Sequence, residues 1–127
     1  MIIGIGVDIL DIRRIQHLFQ KFENQFEKKI FTKQEIEFCK KRKSSIESFA
    51  KMFSIKEAVI KAISDVSGIF WHDIEILHDK NGKPSVNLTG NALKNLKKKT
   101  EKFNMEISVS DEPPYVTAFV VIESLII

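Results

Sequence analysis

Cysteine is almost missing from this 127-residue chain: Cys39 stands alone. That excludes an internal disulfide and any zinc site built on several thiolates, and a reducing, cytosolic setting is the expectation. No apolar run reaches the roughly 20 residues of a bilayer crossing. Gly4, Gly6 and Asp8 interrupt the opening apolar segment where a secretory leader would be continuous, so no membrane partner is expected. Neither sign of charge is in excess. Twenty Lys and Arg against 17 Asp and Glu leave +3, too little by itself to mark a nucleic-acid binder. Tyr and Trp occur once each while Phe occurs ten times, which assigns aromatic rings mainly to core filling. No linker, repeat or low-complexity stretch divides the sequence, and its length suits one domain over residues 1–127.

The apolar residues follow two periods. Ile2 to Asp8 alternates as a strand, placing Ile3, Ile5 and Val7 on an expected buried face and Gly4, Gly6 and Asp8 on the other. Ile12, Ile15, Leu18, Phe19 and Phe22 then recur at helical spacing. Thr32 to Glu35 and Ser44 to Glu47 each have the form of a capping box, predicting two further helices, the second running past Glu57 and fading near Asp65 to Gly68. Ile74 to His78 and Pro84 to Leu88 flank the turn signal Asn81-Gly82. A helix from Thr89 through Leu96 follows, with Lys97, Lys98 and Lys99 as its solvated face, and a second hairpin pairs Met105 to Ser110 with Tyr115 to Glu123 across Asp111 to Pro114. The apolar tail Leu125-Ile126-Ile127 is expected to pack on a neighbouring surface. The order predicts an α+β fold with a largely antiparallel sheet of about five strands and three to four helices.

Two residues break their patterns. Glu57 lies in line with the apolar stripe Phe49, Phe53, Ile60 and Ile63, and Lys61 one turn on offers an ordinary surface ion pair. Asp8 sits beside two glycines, which leave a bare strip of backbone suited to close approach of a ligand or another chain segment. Taken singly, Asp8 equally suits a strand-end turn. Brought together, the two acids would offer two hard oxygen ligands, too few for calcium and suited to magnesium, which keeps waters and takes further ligands from phosphates. Such an ion with Lys61 nearby is equipment for phosphoryl transfer; Lys56 either reaches a second phosphate or is a plain surface lysine.

Gly4-Ile5-Gly6-Val7-Asp8 with Arg14, and Phe49-Ala50 through Lys56-Glu57-Ala58 to Lys61-Ala62, resemble the two signatures of the holo-acyl-carrier-protein synthases, the short 4′-phosphopantetheinyl transferases. The Asn81-Gly82-Lys83-Pro84 hairpin and the Ser108-Val109-Ser110 strand occur in family order, so the similarity spans nearly the whole chain. The resemblance implies transfer of 4′-phosphopantetheine from coenzyme A to a serine of an apo acyl carrier protein, with release of adenosine 3′,5′-bisphosphate. It implies magnesium on Asp8 and Glu57, with Lys61 beside the phosphates as the third catalytic group. Coenzyme contacts would come from Lys56, Lys61, Gly82, Lys83, Pro84, Ser110 and Asp111.

Two positions depart from the family. Met52 stands where an Arg is frequent and Asp111 where a His is frequent, so the coenzyme's 3′-phosphate needs another contact, either Lys51 or a lysine of another chain. By the same resemblance, Arg14, Leu18, Lys21, Phe26 and Lys29 would dock the acidic carrier, while Phe22 is read as core. Chains this short in the family form homotrimers with active sites between subunits. The competing reading is a basic nucleic-acid-binding module using Lys40 to Lys43 and Lys97 to Lys99. Against it, these lysines scatter over several elements and no aromatic-basic stacking motif accompanies them.

Overall fold

The computed structural model describes residues 1–126. Strand β1 (Ile2–Asp11) is followed by helices α1 (Ile12–Phe22), α2 (Asn24–Ile30), α3 (Lys33–Lys40) and the long α4 (Ser45–Ile63). A single 3-10 turn at Trp71–Asp73 leads to the hairpin β2 (Ile74–His78) and β3 (Pro84–Leu88), then α5 (Gly90–Lys97) and the closing pair β4 (Phe103–Glu112) and β5 (Tyr115–Ser124). The α+β class and the antiparallel pairing agree with the sequence, but the strands divide into two sheets, β1-β5-β4 and β2-β3. One helix more than expected is present. Glu23, at φ 50°, breaks the segment after α1 and starts α2, and a non-glycine residue at positive φ leaves no compositional signature.

Helix α4 crosses the inner face of the three-stranded sheet, and the glycines decide how closely. A methyl group on Gly6 would overlap the carbonyl oxygen of Ala58, and one on Gly4 that of Ala62. Small residues on strand and helix thus bring the two backbones into contact. This inverts the expected facing of β1. The Gly4, Gly6, Asp8 and Leu10 row is covered by α4, while Ile5, Val7 and Ile9 are 62%, 54% and 71% exposed. Alternation defines two faces without saying which one meets the core. The exposed row pairs across the sheet with Val121, Phe119 and Thr117 and leaves an apolar outer face.

The core lies between α4 and the inner row Val116, Ala118, Val120 and Ile122 of β5. Because the hairpin β2-β3 and helices α1 and α3 also pack on it, α4 is buried well beyond one stripe, including Met52, Ser54, Ile55, Lys56 and Val59. The Thr32 capping box forms: Glu35 N donates to Thr32 Oγ1 at 3.2 Å and Thr32 N to Glu35 Oε1 at 2.8 Å. That at Ser44 does not, because Ser44 makes no side-chain cap and Glu47 turns to Lys51 at 3.6 Å. The Asn81-Gly82 turn is held by the Asp79 carboxylate, which accepts from Asn81 N and Lys83 N at 2.8 and 2.9 Å, with Gly82 at φ 84°.

The tail differs in part from expectation. Lys99 is exposed as expected, while its ammonium donates to Ile63 O at 2.6 Å and Ser64 Oγ at 2.7 Å and closes the end of α4. Leu125 and Ile126 are half exposed rather than packed away, and Ile127 lies outside the described residues. Among the described residues no helix is long and apolar enough to cross a membrane.

Candidate active site

Asp8 follows Gly6 on the inner row of β1, so the backbone approach that the glycines permit carries its side chain to α4. Its backbone oxygen accepts from Thr117 Oγ1 at 2.8 Å, its Oδ2 from Ser54 Oγ at 2.9 Å, and Lys61 Nζ stands 3.5 Å from Oδ1. Lys61 also donates to Val7 O at 3.0 Å. The anticipated Glu57–Lys61 ion pair is therefore not made; Lys61 serves the strand instead. Burial pushes the Glu57 carboxyl above its ordinary value and the charge of Asp8 adds to this, while Lys61 and Arg14 oppose it. The two acids are close enough for Glu57 to feel the charge of Asp8. Among the described residues no group of three or more His, Cys, Asp or Glu gathers. A pair of carboxylates with a lysine beside it suits a hydrated divalent ion with hard-ligand preference, so Asp8 and Glu57 fit magnesium.

Lys56 does not reach this site. Its side chain is wholly buried, with Nζ 2.9 Å from Glu35 Oε1 and donating to Ile74 O at 2.6 Å and Trp71 O at 3.1 Å. Burial lowers its pKa and Glu35 opposes the shift. It joins α4 to α3 and to the start of β2, because Glu35 Oε2 in turn accepts from Ile76 N at 2.7 Å. The surface and phosphate readings of Lys56 are both overturned by this network, which the spacing within α4 alone cannot reveal.

A cavity of about 220 Å³ opens between the start of α4 and the β2-β3 turn, lined in part by Arg42, Ser48, Met52, His78, Gly82 and Pro84. Gly82 and Pro84, two of the expected coenzyme contacts, are both at its wall. Lys83 turns away, 3.8 Å from Glu106, and Ser110 is exposed on the outer row of β4. Asp111 sits 3.3 Å from Lys51, and side-chain hydrogen bonds with Glu47 and then Lys51 hold its carboxyl below the usual range. Lys51 is thus shared between two acids.

Arg42, which sequence reasoning noticed only as part of a basic run, lines the cavity and makes no ion pair among the described residues. Its guanidinium lies 5.2 Å from the centre of the Phe38 ring, on which His78 stacks at 4.0 Å. Burial, and next Arg42, keep the His78 pKa below 6.5. The one available signal for Arg42 was its place just ahead of the helix that carries Glu57.

On α1 and α2, Arg14, Lys21 and Lys29 are exposed and Leu18 is half-buried. Phe26 packs edge-on against Phe19 and Phe53. Phe22 is 43% exposed, which corrects its reading as core. With Gln25, Phe26 and Lys29 it lines a recess of about 250 Å³. The nucleic-acid alternative loses part of its basic surface, since Lys98 lies 3.6 Å from Asp65 and Lys99 caps α4.

Residues 4–120 match the model of the 4′-phosphopantetheinyl transferase superfamily. A holo-[acyl-carrier-protein] synthase of Methylorubrum populi is 37% identical over 130 residues, covering 98% of this chain and 96% of its own. The crystal structure of the Neisseria meningitidis holo-[acyl-carrier-protein] synthase is 37% identical and superposes with a TM-score of 0.85, covering 98% of this chain and all of that one (100%). A Helicobacter pylori synthase solved in complex with coenzyme A is 28% identical with a TM-score of 0.78, over 94% and 99% of the two chains. Both signatures fall on the elements that carry Asp8 and Glu57, and the likeness runs along nearly the whole length: the chain belongs to the 4′-phosphopantetheinyl transferase superfamily, among its holo-acyl-carrier-protein synthases.

Proposed function

We propose that this enzyme transfers the 4′-phosphopantetheine arm of coenzyme A to a serine of an apo acyl carrier protein. The observation that carries the reading is the meeting of Asp8, Glu57 and Lys61 at the contact of β1 with α4. The serine oxygen bonds to the β-phosphorus as the bond from that phosphorus to the adenosine bisphosphate leaving group breaks, and the serine proton passes to Glu57 or to a water beside it. Asp8 and Glu57 would hold magnesium, which would supply charge stabilisation at the phosphates. Lys61 adds a fixed positive charge at the same place.

The cavity beside Pro84 takes the nucleotide end of the coenzyme. With Met52 packed at 3.5 Å on Cys39 and Lys51 engaged by two acids, Arg42 is, among the described residues, the cation of the cavity wall left free to meet the 3′-phosphate. The recess at Phe22 and Phe26, edged by Lys21 and Lys29, receives the acidic carrier; opposed charge speeds encounter and the rings anchor it. Ile5, Val7, Ile9 and Phe119 form an apolar sheet face of the kind that copies of the chain cover in a homotrimer. The setting is cytoplasmic. Incubation with coenzyme A, magnesium and an apo acyl carrier protein, followed by mass spectrometry, is expected to show a phosphopantetheine-sized gain on the carrier. No gain overturns the assignment.

A further inference from the structure

Ser54 lies in the middle of α4 and is fully buried. A serine there ordinarily returns its hydroxyl to the carbonyl one turn earlier, and a buried hydroxyl without a partner is costly. Ser54 instead donates across the helix-strand contact to Asp8 Oδ2 at 2.9 Å. Among the described residues this is the only hydrogen bond the Asp8 carboxylate accepts; the nearest cation, Lys61, stands on the side of Oδ1. The Asp terminal torsion is soft and nearly two-fold, so packing alone leaves the carboxylate plane free to turn. One donor on one oxygen fixes it.

We infer that Ser54 is a positioning residue for the metal site: its hydroxyl engages Oδ2 and so presents Oδ1 of Asp8 to the divalent ion. The inference rests on the assignment of magnesium to Asp8 and Glu57. It does not rest on Ser54 holding α4 to β1, because Gly4 and Gly6 already seat that contact against the carbonyls of Ala62 and Ala58. Partners that orient a ligating carboxylate commonly change metal affinity or activity by about 10–100-fold when removed.

The test titrates manganese(II) alone into the wild type, Ser54→Ala and Ser54→Cys, following the free ion by its paramagnetic resonance signal. Ser54→Ala is expected to bind manganese about 10–100-fold more weakly, and Ser54→Cys, with a weaker donor in the same place, to fall between. In turnover, the magnesium concentration for half-maximal rate rises in step, while the KM for coenzyme A at saturating magnesium stays at the wild-type value. A purely structural role would lower the melting temperature and leave manganese affinity alone. Equal manganese affinity in wild type and Ser54→Ala therefore overturns the inference and leaves the metal assignment standing, whereas a wild type that binds no manganese overturns both.

Discussion

Replacing Lys56 by methionine tests whether the second signature is chemical or architectural at that position. The substitution keeps the unbranched four-atom stem of the side chain and removes an ammonium that meets Glu35 at 2.9 Å, Ile74 O at 2.6 Å and Trp71 O at 3.1 Å. Breaking one side of a buried ion pair costs about 3–5 kcal/mol, because the remaining charge stays buried. Here Thr32 N and Ile76 N still donate to Glu35, which holds the cost toward the lower half of that range, while the two abandoned carbonyls raise it again. A loss of about 4 kcal/mol is a large share of the roughly 5–15 kcal/mol available to a domain. At about 4 °C per kcal/mol, it lowers the melting temperature by about 16 °C. Urea and thermal melts of Lys56→Met, Glu35→Gln and the double variant check this. The double variant should lose less than the sum of the singles, since each change removes the group that the other strands. A Lys56→Met protein that melts with the wild type and has lost only coenzyme affinity would refute the buried clasp and restore a phosphate role.

Gly6→Ala places a methyl group against backbone only, with Ala58 C and Ala62 N both 2.9 Å from it, so β1 must lift from α4. Overpacking of this kind costs about 1–3 kcal/mol, and the shift of Asp8 against Glu57 should lower the specific activity of the folded fraction about a hundredfold; a folded variant at full activity would contradict the account of the site. The folded-state pKa of His78 is held below 6.5, so the unfolded chain takes the proton first and stability falls as pH drops through 6.5 and below. His78→Asn should flatten that part of a melting-temperature profile, and an unchanged slope would exclude His78 as its source. Burial raises the Cys39 pKa to about 12, so the thiol should ignore a disulfide reagent at pH 8 until urea unfolds the chain. Fast labelling of the native protein would show the α3-α4 contact to be open.

Much of the fold was legible because local signals were strong. The Thr32 box and the Asn81-Gly82 turn each rest on contacts within a few residues, and both form. The failures are all tertiary. Ser44 to Glu47 has the same capping pattern as Thr32 to Glu35, but Lys51 and Asp111 compete for that surface and the box does not close. Phe22 has the helical spacing of a core residue and is 43% exposed at the end of α1, beside the recess it lines with Phe26. Lys56 looked like its neighbours on a half-solvated helix until three further elements covered it.

The inverted facing of β1 shows how the site itself was partly hidden. Ile3, Ile5 and Val7 are the more hydrophobic row, and a rule that buries the larger apolar area selects them. Backbone approach selects the other row, since only residues without a side chain let the Ala58 and Ala62 carbonyls lie against the strand. Both forces act in this molecule on different scales: the glycines admit the helix of the same chain, and the isoleucines are left for a surface that can be covered from outside. The acids follow from the first of these. An Asp placed two residues after Gly6 is carried to α4 by the same close contact, where it meets Ser54 and the charge of Glu57. The misplaced carboxylate of α4 and the glycine-flanked acid of β1 are therefore two ends of one contact, and a substitution that widens that contact is expected to part the acids.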